Sequence, residues 1–184
     1  MKRLAFILIL TLTLALVSCA PADADPLSYQ DRASEVTGTV TTETGTFSFV
    51  VTLPEMTDVM TRRDADILLT APETLAGITV TVQGKVVTMS SGDVTLPVST
   101  EAAGGWLELV GLFSLDGNAV SSVTGDGGTV TVGIGAAPCR TLVTIDTAAG
   151  TPTQIMTEDG RLSLTIDKYI FTDTNTEGTD TNGN

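Results

Sequence analysis

Apolar and hydroxyl-bearing residues alternate one for one along much of this chain, and a two-residue period leaves little room for anything but β-sheet. Phe47, Phe49, Val51 and Leu53 interleave with Ser48, Val50 and Thr52. Ile78, Val80 and Val82 interleave with threonines, as do Val130, Val132 and Ile134 with Thr131 and Gly133, and Leu162, Leu164 and Ile166 with Ser163, Thr165 and Asp167. Successive strand side chains point to opposite faces, so each run has one apolar and one polar face. Such a sheet covers a core on one side only, which is the habit of antiparallel sheets. Thr and Val also fit a pleated, half-buried surface. Gln83-Gly84-Lys85, Ser91-Gly92-Asp93, Gly125-Asp126-Gly127-Gly128 and Glu158-Asp159-Gly160 supply turn residues between the runs. Strands are expected near 36–42, 46–53, 64–70, 78–83, 85–90, 93–98, 128–135, 140–146, 153–157 and 161–171, joined as a meander.

Glu101 to Phe113 breaks the pattern. Ala102, Trp106, Leu109, Val110 and Phe113 recur at helical spacing, with Thr100 placed to cap the start. Gly104, Gly105 and Gly111 weaken this helix, so it must gain its stability by packing on the sheet. A further helical turn is expected over Glu55–Arg63, and a short turn closed by glycine over Pro72–Gly77.

The amino terminus carries an address. Lys2 and Arg3 precede an apolar run, Leu4–Val17, whose fourteen residues are too few to span a bilayer, which needs ~20. Leu16-Val17-Ser18-Cys19 resembles the lipobox of bacterial lipoproteins. That resemblance implies a signal peptide over 1–18 and a diacylglyceryl anchor on Cys19, the new amino terminus. Residues 19–34, with Pro21, Pro26 and three aspartates, read as a lipidated tether, 35–172 as the β domain, and 173–184 as a disordered acidic tail. The resemblance implies the outer face of the cytoplasmic membrane, or the outer membrane in a diderm host.

Composition excludes several chemistries. There is no histidine, which removes Ser-His-Asp and Cys-His catalysis. Nine cations against 22 carboxylates give a net charge of −13, against a nucleic-acid partner. Loss of Lys2 and Arg3 with the signal brings this to −15, so an anionic membrane would repel the domain and only the lipid would hold it. Asp64 and Asp66 share a strand face but nothing marks them as a catalytic pair; the tail's Asp173–Gly178 imitates a calcium loop without its closing Glu. Cys139 reads as a buried structural thiol. No enzyme activity, cofactor or metal is expected.

Two segments resemble the LolA/LolB-like superfamily of bacterial lipoprotein- and lipid-binding proteins. One is Asp66–Ile78, a strand running through Pro72-x-x-Leu75-x-Gly77 into the next strand. The other is Pro152-x-x-Ile155 followed by Leu162, Leu164, Ile166 and Phe171. The resemblance implies a curved antiparallel half-barrel, unclosed, of about ten strands, with one or two short helices on its concave face. It implies a cavity for acyl chains between helix and sheet, lined by Trp106, Leu109, Val110 and Phe113 with Phe47, Phe49 and Val51. It also implies a lid-holding arginine, for which Arg62 and Arg63 are candidates by type. The expected function is binding of a lipid or other hydrophobic ligand at the envelope. The alternative is a protein–protein interaction module with the same apolar residues sealed into a filled core.

Overall fold

The computed structural model describes residues 25–56 and 63–172. Eleven strands form one antiparallel sheet: β1 (Ser34–Thr42), β2 (Gly45–Leu53), β3 (Ala65–Ala71), β4 (Thr79–Gln83), β5 (Val86–Ser91), β6 (Val94–Pro97), β7 (Val120–Asp126), β8 (Thr129–Ile134), β9 (Thr141–Asp146), β10 (Thr151–Thr157) and β11 (Leu162–Phe171). Their spatial order is β6-β5-β4-β3-β2-β1-β11-β10-β9-β8-β7. The only non-sequential neighbours are β1 and β11, so two meanders are sewn together along that central seam. The sheet ends at β6 and β7, which do not pair, and the half-barrel stays open.

Alternation of burial is clearest in β1, β3 and β4. In β3, Ala65, Ile67 and Leu69 are buried while Asp66, Leu68 and Thr70 are exposed. Inward rows run straight across the ladder, as in Val36–Val51–Ile67–Val80–Met89–Leu96. A bulge in the seam, between Thr37 and Gly38, leaves Asp167 without an opposite residue. Beyond it the odd residues of β11 take the inward row, so Tyr169 faces Val36 and Phe171 faces Ser34. One extra residue thus reconciles Leu162, Leu164 and Ile166 with Phe171 on a single face.

The helix α1 (Thr100–Gly111) lies against β4 and β5 and buries Ala103, Leu109 and Val110. Its cap is Ser99, one residue before the expected Thr100; the Ser99 hydroxyl accepts from the Ala102 amide at 3.4 Å. Strand β7 has no counterpart among the expected strands. Its burial is slight, and only Val120 and Val123 are apolar, because an edge strand obtains its hydrogen bonds from β8 without needing an apolar face. The helical turn expected over Glu55–Arg63 falls largely on 57–62, outside the described residues, as do the signal segment, Cys19 and the acidic tail.

The folded body begins earlier than residue 35. Leu27, Tyr29 and Gln30, assigned above to the tether, are 2–3% exposed, and Ser28–Asp31 forms one 3-10 turn. Tyr29 packs edge-on against Tyr169, with ring centres 5.8 Å apart, on the concave side of the seam. The Gln30 side chain accepts from the Leu115 amide at 2.6 Å and donates to the Leu115 carbonyl at 3.3 Å. A single 3-10 turn is too short to display periodicity, so two large apolar side chains among prolines and aspartates look like tether. Cys139 is exposed rather than buried, because Ala136–Cys139 forms an outward turn between β8 and β9.

Candidate functional site

The curvature of the sheet and the shortness of α1 together leave a hollow. The helix presents Ala102, Gly105, Trp106 and Leu109 along one stripe, at the spacing of a single helical face. Opposite stand Val40 and Phe47 from β1 and β2, Leu162 from β11, and Pro72 and Leu75 from the turn between β3 and β4. That turn is fixed by the Leu75 amide donating to Pro72 O at 2.9 Å, and Gly77 supplies the left-handed residue (φ 85°) that returns the chain to β4. Thr42, Thr44, Gly45 and Thr46 of the β1–β2 hairpin form one lip. The volume enclosed is about 480 Å³, within the size range of small-molecule sites.

Trp106 and Phe47 pack on each other at the edge of this space, with ring centres 5.6 Å apart and planes tilted by 53°. Both are half-buried, and both line the cavity. Of the seven residues expected to line the cavity, Trp106, Leu109 and Phe47 do so. The other four do not: Val110, Phe113, Phe49 and Val51 are at most 1% exposed and form the sealed layer beneath. Helical and strand periods identify the inward face, yet cannot tell which inward residues stop short of contact. Sequence reasoning misses Val40, Leu75 and Leu162 as lining residues because three chain-distant elements converge there. A second recess of about 490 Å³ lies on the other flank of α1, between Val86, Val87, Pro97, Val98 and Leu107.

A polar cluster occupies the far end of the seam. Arg63 is 3% exposed; its Nε donates to Pro54 O at 2.7 Å and an Nη to Arg32 O. Burial lowers the guanidinium pKa, and the neighbouring Tyr169 counters this. Tyr29 and Tyr169 both titrate above the ordinary phenol range, chiefly through desolvation. The Tyr169 hydroxyl donates to Tyr29 O at 3.3 Å, and Arg32 stacks on the Phe171 ring at 3.9 Å. Arg63 therefore ties together two backbone segments, while Arg62 lies outside the described residues. Among the described residues no group of three or more Asp, Glu or Cys side chains could hold a metal ion, and no helix is long and apolar enough to cross a membrane.

No protein-family model matches the sequence, and no curated protein does either. Solved structures do match in fold. MucB superposes with a TM-score of 0.51 at 12% identity, covering 83% of this chain and 58% of that one. An uncharacterized conserved protein from Thermus thermophilus gives 0.49 at 12% identity, over 81% of this chain and 84% of that one. A LolA superfamily protein from Nitrosomonas europaea gives 0.37 at 9% identity, over 80% and 92%. The architecture of this chain is an unclosed antiparallel half-barrel, a fold it shares with MucB, with a hollow between its helix and its sheet.

Proposed function

We propose that this protein is a non-enzymatic bacterial envelope lipoprotein, anchored through Cys19, whose half-barrel binds the apolar chain of a lipid or similar ligand beside Trp106. The observation that carries this reading is the open cavity of about 480 Å³ lined by Val40, Phe47, Leu75, Trp106, Leu109 and Leu162. Apolar surface removed from water contributes roughly 25 cal/mol per Å², so an acyl chain entering such a space gains several kcal/mol. The experiment is native mass spectrometry and fluorescent acyl-chain uptake with a chain beginning at Ala20. Co-purified lipid or saturable uptake, lost when Leu109 is replaced by Asp in a variant that still folds, supports the reading. A ligand-free protein that takes up no probe overturns it. Anchoring has its own test: the full chain should incorporate labelled fatty acid, and Cys19→Ser should not.

A second reading, docking of an envelope protein, draws on Val94 and Leu96. These residues of edge strand β6 are 59% and 62% exposed, and Leu96 shares the inward row with Met89. Strand edges with apolar side chains invite pairing. Pull-down by the wild-type chain but not by Leu96→Lys, with no acyl-chain uptake, would favour that reading over the first.

A further inference from the structure

The cavity beside Trp106 is small for a lipid, and it has no room to deepen. Beneath it lies the sealed layer of Phe49, Val51, Val110 and Phe113, each at most 1% exposed. Trp106 packed on Phe47 closes one side. The turn held by the Leu75 amide on Pro72 O closes another. Counting a methylene at the ~30 Å³ that a water molecule occupies in the liquid, a space of about 480 Å³ is full at about sixteen carbons. That is one long acyl chain, and two such chains need twice the space.

The recess on the other flank of α1 does not extend this space. Ala103 and Leu107 line that recess, Ala102 and Trp106 line the cavity, and the two share no lining residue. A lipid with two chains on one head would have to straddle the helix or leave a chain in water. The helix itself makes room at Gly105, which lies on the same face as the lining residues Ala102 and Leu109. A Cβ built on Gly105 meets nothing within 4 Å. Glycine weakens a helix interior, and here the side chain it lacks would occupy space that a ligand can use.

On the reading proposed above, we infer that this cavity takes a single acyl chain of up to about sixteen carbons, and that Gly105 sets the limit. Its ligands are single-chain amphiphiles, free fatty acids or lysolipids, and lipids with two or three long chains are excluded. The chain lies against Val40, Leu75, Leu109 and Leu162, and the head stays outside.

Trp106 is the only tryptophan and lines the cavity, so its emission reports this site directly. The test titrates the chain beginning at Ala20 with lysophosphatidylcholines from decanoyl to eicosanoyl, each below its micelle concentration. Affinity should rise about fourfold per added carbon (~0.8 kcal/mol per buried CH₂) and level off near sixteen carbons. Free fatty acids should level off at the same length, since the cavity measures the chain and not the head. Gly105→Leu adds four carbons to the cavity wall, so its plateau should come about four carbons earlier, with the decanoyl probe bound as before. Gly104→Leu is the control: its Cβ is equally unobstructed but it does not line the cavity, and its plateau should not move. Native mass spectrometry after incubation with dioleoylphosphatidylcholine vesicles doped with palmitoyl lysophosphatidylcholine should show the single-chain lipid bound and the two-chain lipid left behind. Affinity still rising at twenty carbons, a plateau that shifts with the head group, a plateau unmoved in Gly105→Leu or moved equally in Gly104→Leu, or capture of the two-chain lipid overturns the single-chain limit and leaves the apolar cavity reading standing. No binding by any probe overturns both.

Discussion

Replacing Gly38 by Ala should destabilise this protein, although the same change usually helps. Where the backbone tolerates a side chain, Gly→Ala stabilises by ~0.4–1 kcal/mol through the unfolded state. Gly38 sits in the middle of β1, opposite Phe49 on one side and Ile166 on the other, at the seam bulge. A Cβ built there meets the Thr165 carbonyl oxygen at 2.4 Å, with Ile166 Cα and Phe49 Cζ at 3.4 Å. Real Cβ atoms essentially never approach another atom within 3.0 Å, so the Thr165 carbonyl must retreat by at least about 0.6 Å. It belongs to the backbone of the pairing strand and cannot rotate away. Both the ladder and the packing of Phe49 therefore suffer, at a cost of about 2–3 kcal/mol. For a domain of this size that is roughly 5–10 °C in Tm. Urea unfolding followed by Trp106 emission measures it. Gly104→Ala in α1 is the matched comparison: nothing lies within 4 Å of its Cβ, and it should gain about 0.5–1 kcal/mol. A Gly38→Ala protein as stable as the parent would refute the reasoning.

Four further outcomes follow from contacts described above. Arg63→Met strips the donors from Pro54 O and Arg32 O and should lose about 2–4 kcal/mol in urea; an unchanged midpoint would show that these contacts are idle. Gln30→Ala leaves the Leu115 amide without its acceptor, so hydrogen exchange there should accelerate, with about 1–2 kcal/mol of stability lost. The Asp159 carboxyl is held down to about 2 by the Thr157 hydroxyl first, then by Arg161. Its favourable contacts are complete above the ordinary value of 3.8 and disappear as pH falls through about 2, and Thr157→Val should move the NMR titration midpoint upward. Cys139 should react with an aromatic disulfide reagent in the native protein without denaturant; protection until unfolding would contradict its exposure.

Strands with strict alternation are legible because each sends one complete face to the core. All ten expected strands correspond to strands of the sheet, and α1 differs from expectation by one or two residues at its ends. The failures share a cause. Strand β7 hangs on an edge and needs hydrogen bonds rather than apolar side chains, so its composition resembles a loop. Leu27 and Tyr29 matter individually, without a period, in a segment whose prolines and aspartates argue for a linker. The candidate site divides in the same way. Trp106 and Phe47 announce themselves by size, but only the curvature of the folded sheet separates them from Phe49 and Phe113, which have the same apolar character and end in the sealed layer. Curvature belongs to the whole sheet, and no local window contains it.

The burial of Leu27 and Tyr29 has a mechanical consequence. A leash that ended at residue 34 would slacken and stretch with no effect on the domain. Here a pull applied ahead of residue 25 runs straight into Tyr29, Tyr169 and the clamp of Gln30 on Leu115. Tension at the amino terminus is therefore borne by the central seam and by the segment leading out of α1, so that tugging on one end of the molecule loads the wall of its hollow.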